Sequence, residues 1–265
     1  MGAVGGGVLA MVLALVVVPG PEKPAGSGKG GGASASPEAS DAPGLSRGHA
    51  TAAGALGTRR IGGAPRGFPH TQDGAIEAAA SAMGQSLNMF RMSKSDRAAY
   101  QKDLYVKAPP AEFEDRGAIW RAQNNVNEDG QLIDPVDNRP QTEKRLTTLC
   151  HPELGAYKVE TAMADAATVT VWYPCLSGVI DPKVPAPLQT QWTLGQLKLE
   201  WARGDWRVAS SGTGSYSSVP SPSDPGQPVI SYAERAKLLE PLGGGWKLFA
   251  DARASAPAEL KEATQ

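Results

Sequence analysis

"QWTLGQLKLEWARGDWRVAS", residues 191–210, is the stretch on which the fold turns. Its side chains alternate. Leu197, Leu199 and Trp201 fall on one side of an extended chain, and Gln196, Lys198 and Glu200 on the other. Arg203-Gly204-Asp205 interrupts the alternation, and Trp206 and Val208 resume it. A glycine between two alternating runs marks a β-hairpin, so two antiparallel strands with one buried face are predicted. The Arg-Gly-Asp tripeptide also reads as an adhesion ligand, but a hairpin needs its glycine there regardless.

The same period of two extends upstream. In "AATVTVWYPC" (166–175), Val169, Val171 and Tyr173 face one side, and Thr168, Thr170 and Trp172 the other. "YKVETAMA" (157–164) reads as a further strand, whereas 127–150 is polar and rich in turn residues. Before that the period is 3.6. In "GFPHTQDGAIEAAASAM" (67–83), Thr71 suits an N-cap and Asp73 falls in the first turn, where negative charge complements the helix dipole. Ile76, Ala79, Ala80, Met83, Leu87 and Phe90 then share a face, predicting a helix over 71–91. A second helix is expected over 94–106, capped by Ser93 or Ser95 and stopped by Pro109-Pro110. A third is expected from Pro110 to Val126, with Phe113, Ile119 and Trp120 inward. Past the hairpin come a Ser/Pro/Gly-rich loop (210–228), a short helix over 231–240 capped by Ser231, and the extended "WKLFADA" (246–252). Helices followed by strands imply an α+β fold: three N-terminal helices packed on one face of a curved antiparallel sheet of about four strands.

The chain has 265 residues and a formal net charge of -1. No basic excess is present to neutralise phosphates, so no nucleic-acid partner is expected. Residues 1–18 carry no charge, and at about 1.5 Å per residue they approach the length that spans a membrane. The alternative is the apolar region of a cleaved secretory signal; no Lys or Arg precedes the run, and no lipid-anchor cysteine follows it. The expectation is a single-pass membrane anchor at 1–18, or else secretion, with the rest of the chain outside the cytoplasm. Gly, Pro, Ser and Ala fill 24 of the 32 positions from 19 to 50. Residues 19–66 read as a disordered linker with an r.m.s. reach of roughly 35–40 Å. "GSGKGGG" (26–32) lacks the spacing, the Ser or Thr after Lys29 and the preceding strand of a phosphate loop. Residues 67–250 form the expected folded domain, and 251–265 a polar tail.

The "GFPHT" helix start, the "TVTVWYP" strand and the "LKLEWARGDWRV" hairpin together resemble a group of actinobacterial membrane-anchored or secreted NTF2-like envelope proteins. That resemblance implies an NTF2-like cone. In architecture the group is similar to the bitopic scaffold proteins of conjugative (type IV-type) transfer machines, an analogy of layout. It implies a non-catalytic scaffold that contacts other envelope proteins within a conjugation-like transfer complex. The alternatives are an extracytoplasmic small-ligand-binding or enzymatic cone, and a secreted protein of unknown role.

Candidate site residues are few. His70 lies near Asp73 and Glu77, but the helix start accounts for all three. The chain's three histidines, His49, His70 and His151, form no ligand-spaced cluster. No catalytic residue, metal ligand or cofactor is therefore assigned. Tyr173 is the candidate pocket donor, and Trp172, on the opposite side of its strand, the candidate interface anchor. Cys150 and Cys175 flank an expected antiparallel pair, whose geometry brings them within bonding reach, and two cysteines outside the cytoplasm usually pair. A Cys150-His151 nucleophile is set aside, because sequence neighbours rarely meet in a productive geometry.

Overall fold

A computed structural model describes residues 45–52, 59–61, 64–109, 111–183, 188–212, 219–222 and 230–254. The readings of 1–18 as an anchor and of the tail from 255 lie outside these residues, as do 19–44, 53–58 and 62–63 of the linker read over 19–66. Among the described residues no helix is long and apolar enough to cross a membrane.

Chain order begins with three short strands, β1 (Ser46–Arg47), β2 (Arg59–Ile61) and β3 (Ala64–Arg66). The helices α1 (Gln72–Gly84), α2 (Lys94–Leu104) and α3 (Ala111–Gln123) follow. Then come β4 (Arg145–Cys150), β5 (Ala156–Ala162), β6 (Ala166–Ile180), β7 (Gln189–Ala202) and β8 (Asp205–Gly212). The helix α4 (Tyr232–Leu239) and the strand β9 (Trp246–Leu248) close the described fold. Seven strands form one sheet in the order β1-β9-β5-β6-β7-β8, with β4 beside the second half of β6; β2 and β3 form a separate hairpin. The sheet is mixed, because β1 runs parallel to β9.

This corrects the expected cone of three N-terminal helices on about four antiparallel strands. The sheet is larger, strands precede the helices, and α4 follows the main sheet. The physical reason is that the extra strands carry little signal of their own. β1 and β9 have two and three residues. "RLTTLC" of β4 follows a polar run of turns, and it is a strand only because long β6 offers it an edge, pairing Arg145 with Ile180 through to Cys150 with Cys175.

The elements read from periodicity are present, with shorter helices and with β6 extended to Ile180. Thr71 Oγ1 accepts from Gly74 N at 3.1 Å and starts α1. Gly74 has to be glycine, because a Cβ there would run into the carbonyl oxygen of Pro69. α1 ends at Gly84, and Asn88–Arg91 forms a separate 3-10 turn. Ser93 caps α2 and Ser231 caps α4, each accepting the backbone N–H three residues on. The β7–β8 turn has Arg203 and Gly204 both at positive φ, 57° and 74°, the pairing a two-residue hairpin demands.

The core lies on both faces of β6 and β7. On one face α1 lays Ala75, Ile76, Ala79 and Met83 against Val169, Val171, Tyr173 and their cross-strand partners Leu197, Gly195 and Thr193. Asp205, buried at the hairpin turn, ties this layer to the chain entering α1. Its carboxylate accepts from Gly67 N at 2.9 Å, Phe68 N at 3.2 Å and Trp206 N at 2.9 Å. Trp206 Nε1 donates to Pro69 O at 2.9 Å. The "GDW" of the hairpin thus clamps the "GFP" before the helix. On the opposite face Trp172 stacks on Trp192 at 4.1 Å between ring centroids. Leu45, Ala50 and Ala64, within the span read as linker, are buried.

Candidate functional site

Beyond the last turn of α1, the 3-10 turn, α2 and α3 arch over the same sheet face without filling it. They enclose a cavity of about 400 Å³. Its floor is the sheet, at Tyr173, Thr193, Gly195, Leu197 and Val208. Its walls include Met83, Leu87, Phe90, Tyr105, Phe113 and Trp120. The aromatic wall is continuous: Phe90 lies 5.8 Å from Phe113 and 5.6 Å from Trp120, and Tyr105 lies 6.1 Å from Phe113 between ring centroids. Gly195 is where helix and sheet come closest. A Cβ there would stand 2.5 Å from Cε and 2.6 Å from Sδ of Met83, so the bare backbone lets that side chain lie flat on the floor.

Ser86, Tyr100, Gln123, Thr193, Gln196 and Ser211 add polar atoms to the lining, and two tyrosines mark its main polar spots. Tyr173 is 2% exposed, and its hydroxyl donates to Met83 Sδ at 3.3 Å. Burial pushes its pKa up to about 12, and a hydrogen bond with Ser86 opposes the shift. At neutral pH Tyr173 is therefore a proton donor and no base. The second spot is Tyr105. Burial raises its pKa, a hydrogen bond with Ser211 and the nearby charge of Arg116 pull the other way, and the charge of Glu114 adds to the rise. Arg116 is the one charged side chain among the described residues of the wall. It lies exposed near Phe113, its guanidinium carbon 5.7 Å from the ring centroid, and Ile119, 57% exposed, sits a turn further along α3. With no carboxylate among these residues, the arrangement suits holding an apolar body and satisfying one or two polar atoms.

Of the residues singled out in the sequence, Tyr173 is in the cavity. Trp172 is not a surface anchor: it is 0% exposed, because residues 219–222 cross over it and Pro220 O accepts from its Nε1 at 2.9 Å. Cys150 and Cys175 form a disulfide between directly paired positions of β4 and β6, with Cα atoms 4.0 Å apart. Cys150 ends a strand, where the sequence reading set it ahead of the first one, and the bond leaves no thiol for a Cys150-His151 nucleophile.

The histidines lie elsewhere. His70 meets neither Asp73 nor Glu77. It stacks on Trp201 at 4.0 Å, and its Nε2 lies 2.8 Å from Asp165 Oδ1. Glu77 accepts instead from Thr51. His151 Nδ1 lies 2.9 Å from Glu153 Oε1. Burial pushes the Glu153 carboxyl up, but the hydrogen bond and charge of His151, helped by its own backbone N–H and by Arg253, hold it below its ordinary value. Among the described residues no three His, Cys, Asp or Glu side chains gather as a metal site.

Sequence reasoning passed over Arg116, Leu87, Phe90 and Phe113 as cavity residues. The available signal was the spacing of Phe113, Arg116 and Trp120 along one face of α3, of which only Phe113 and Trp120, with Ile119, were read as inward. Ile119, expected inward, is turned out. Residues 49–227 match a family described as a domain of unknown function (DUF8175). No curated protein and no solved structure matches the chain.

Proposed function

From the premise that the chain belongs to this family of unknown function, we propose that it is a non-catalytic domain that binds an apolar small molecule outside the cytoplasm. The observation that carries the reading is the cavity of about 400 Å³ under α2 and α3, walled by aromatic and aliphatic side chains and furnished with the Tyr173 hydroxyl. That volume is within the range of small-molecule sites, and a mostly apolar lining with few convergent polar groups is their usual make-up. The disulfide supports a location outside the cytoplasm, since such bonds persist where thiols are not kept reduced. The uncharged residues 1–18 support a membrane anchor or a secretory signal. The scaffold reading, with other envelope proteins as partners in a conjugation-like complex, has lost Trp172 as its anchor, and the cavity is the better supported site.

The test is titration of the full chain with N-phenyl-1-naphthylamine, a neutral probe that fluoresces in apolar surroundings. Saturable binding to the native protein is expected, and its absence would end the ligand-binding reading. Thr193→Trp, which sets an indole across the floor opposite Tyr173, is expected to reduce probe binding at least about tenfold, the scale of one lost apolar contact surface. Met163→Ser, at an exposed position of the β5–β6 turn, serves as the control.

A further inference from the structure

Charge is distributed unevenly around the cavity. Its described wall contains one cation, Arg116, and no Asp or Glu. Arg116 is exposed, yet it lies near Phe113 and close enough to Tyr105 to act on its hydroxyl. Tyr105 and Ser211 line the same cavity as Arg116 and are hydrogen-bonded with each other, while Glu114, whose charge also reaches Tyr105, is not part of the lining. The rest of the lining is mostly apolar around Leu87, Phe90, Leu197 and Val208, with the uncharged side chains of Gln123 and Gln196 among it. At about 30 Å³ for a water-sized group, the volume accommodates roughly a dozen methylene-sized groups.

Resting on the binding function proposed above, we infer that the occupant is a single-chain amphiphile with one anionic end, a medium-length alkyl carboxylate. Its chain lies between Phe90 and Leu197, and its carboxylate faces Arg116 and the Tyr105 hydroxyl at the open side. A guanidinium favours a carboxylate over a neutral or cationic head of equal chain length, because the hydrogen bond it donates is charge-assisted. The apolar chain supplies most of the affinity and the arginine the choice among heads.

Three C12 compounds with different heads, dodecanoate, dodecanol and dodecyltrimethylammonium, are used below the solubility limit of the alcohol and the micelle concentrations of the two ions to displace N-phenyl-1-naphthylamine from the full chain at pH 7.5. Dodecanoate is expected to half-displace the probe at a concentration about fivefold lower than dodecanol, with the cation weakest. Arg116→Gln is expected to abolish the dodecanoate-to-dodecanol preference, Arg116→Lys to keep part of it, and Arg116→Glu to place the cation first. Equal displacement by all three heads, or an ordering unchanged in Arg116→Gln, overturns the inference while leaving an apolar site in place. A native protein that does not bind the neutral probe overturns both. Because Arg116 is exposed, the variants are expected to keep the native circular dichroism spectrum, which is recorded alongside.

Discussion

Asp205 serves three backbone amides at once, those of Gly67, Phe68 and Trp206, and it is buried. Replacing it by alanine leaves these N–H groups without their acceptor in a site closed to water. Asp205→Ala is expected to lower stability by about 2–4 kcal/mol, read as a shift in the denaturant midpoint. Trp206→Phe loses the bond to Pro69 O and also shrinks a buried ring that meets Trp201 edge-on, so about 2 kcal/mol is expected. Glu153 gives the molecule an acid limit. Its folded pKa lies below the ordinary glutamate value, so the unfolded chain takes up a proton first as pH falls. Its stabilisation is complete above about pH 5 and disappears as pH drops through the folded value. Melting temperature measured between pH 3 and pH 7 is expected to fall less steeply for Glu153→Gln than for the native chain. The sequence showed that Asp205 sits in a hairpin turn. It could not show that the carboxylate reaches back to residues 67 and 68, because that contact depends on where the helix lands on the sheet.

Among the elements, long β6 organises the rest. It pairs with β7 along one edge and with β5 and then β4 along the other. Its residues 166–175 and its hairpin neighbours were legible, since alternation is strong where one face is buried. β4 was not legible, because Arg145, Thr147 and Thr148 make it look like loop and only the edge of β6 makes it a strand. The disulfide fixes that edge. Opening it in a Cys150→Ala/Cys175→Ala double variant restores freedom to a loop of 25 residues, and a loss of about 3 kcal/mol is expected in denaturant unfolding. Hydrogen exchange is expected to speed up most in 145–150, with β6–β7 amides nearest the hairpin less affected. A uniform acceleration across the sheet would mean that β4 has no separate role.

For the whole molecule, the site is a hollow that three helices leave against a sheet, and such a hollow has no sequence signature. Phe90, Phe113 and Trp120 sit at helical spacings that look the same whether the face packs solidly or encloses a void. Tyr173 was recognisable as a donor on the helix-covered face. Trp172 was misplaced because alternation cannot tell whether the second face of a sheet is wet or roofed by a distant segment. If the cavity is a binding site, a saturating alkyl carboxylate is expected to raise the melting temperature by several degrees, as linkage requires of any ligand that prefers the folded state. The pairing of β1 with β9 bears on how the molecule is made. Ser46 lies beside Lys247, and Arg47 donates through Nη1 to Phe249 O and Ala250 O at 3.2 and 2.9 Å, across about two hundred residues. A nascent chain that has emerged only as far as the β7–β8 hairpin holds most of its sheet and helices, but its first strand has no mate. Completion must wait until residues 246–248 have been synthesised, and a product that stops short of them leaves both β1 and the outer edge of β5 unpaired.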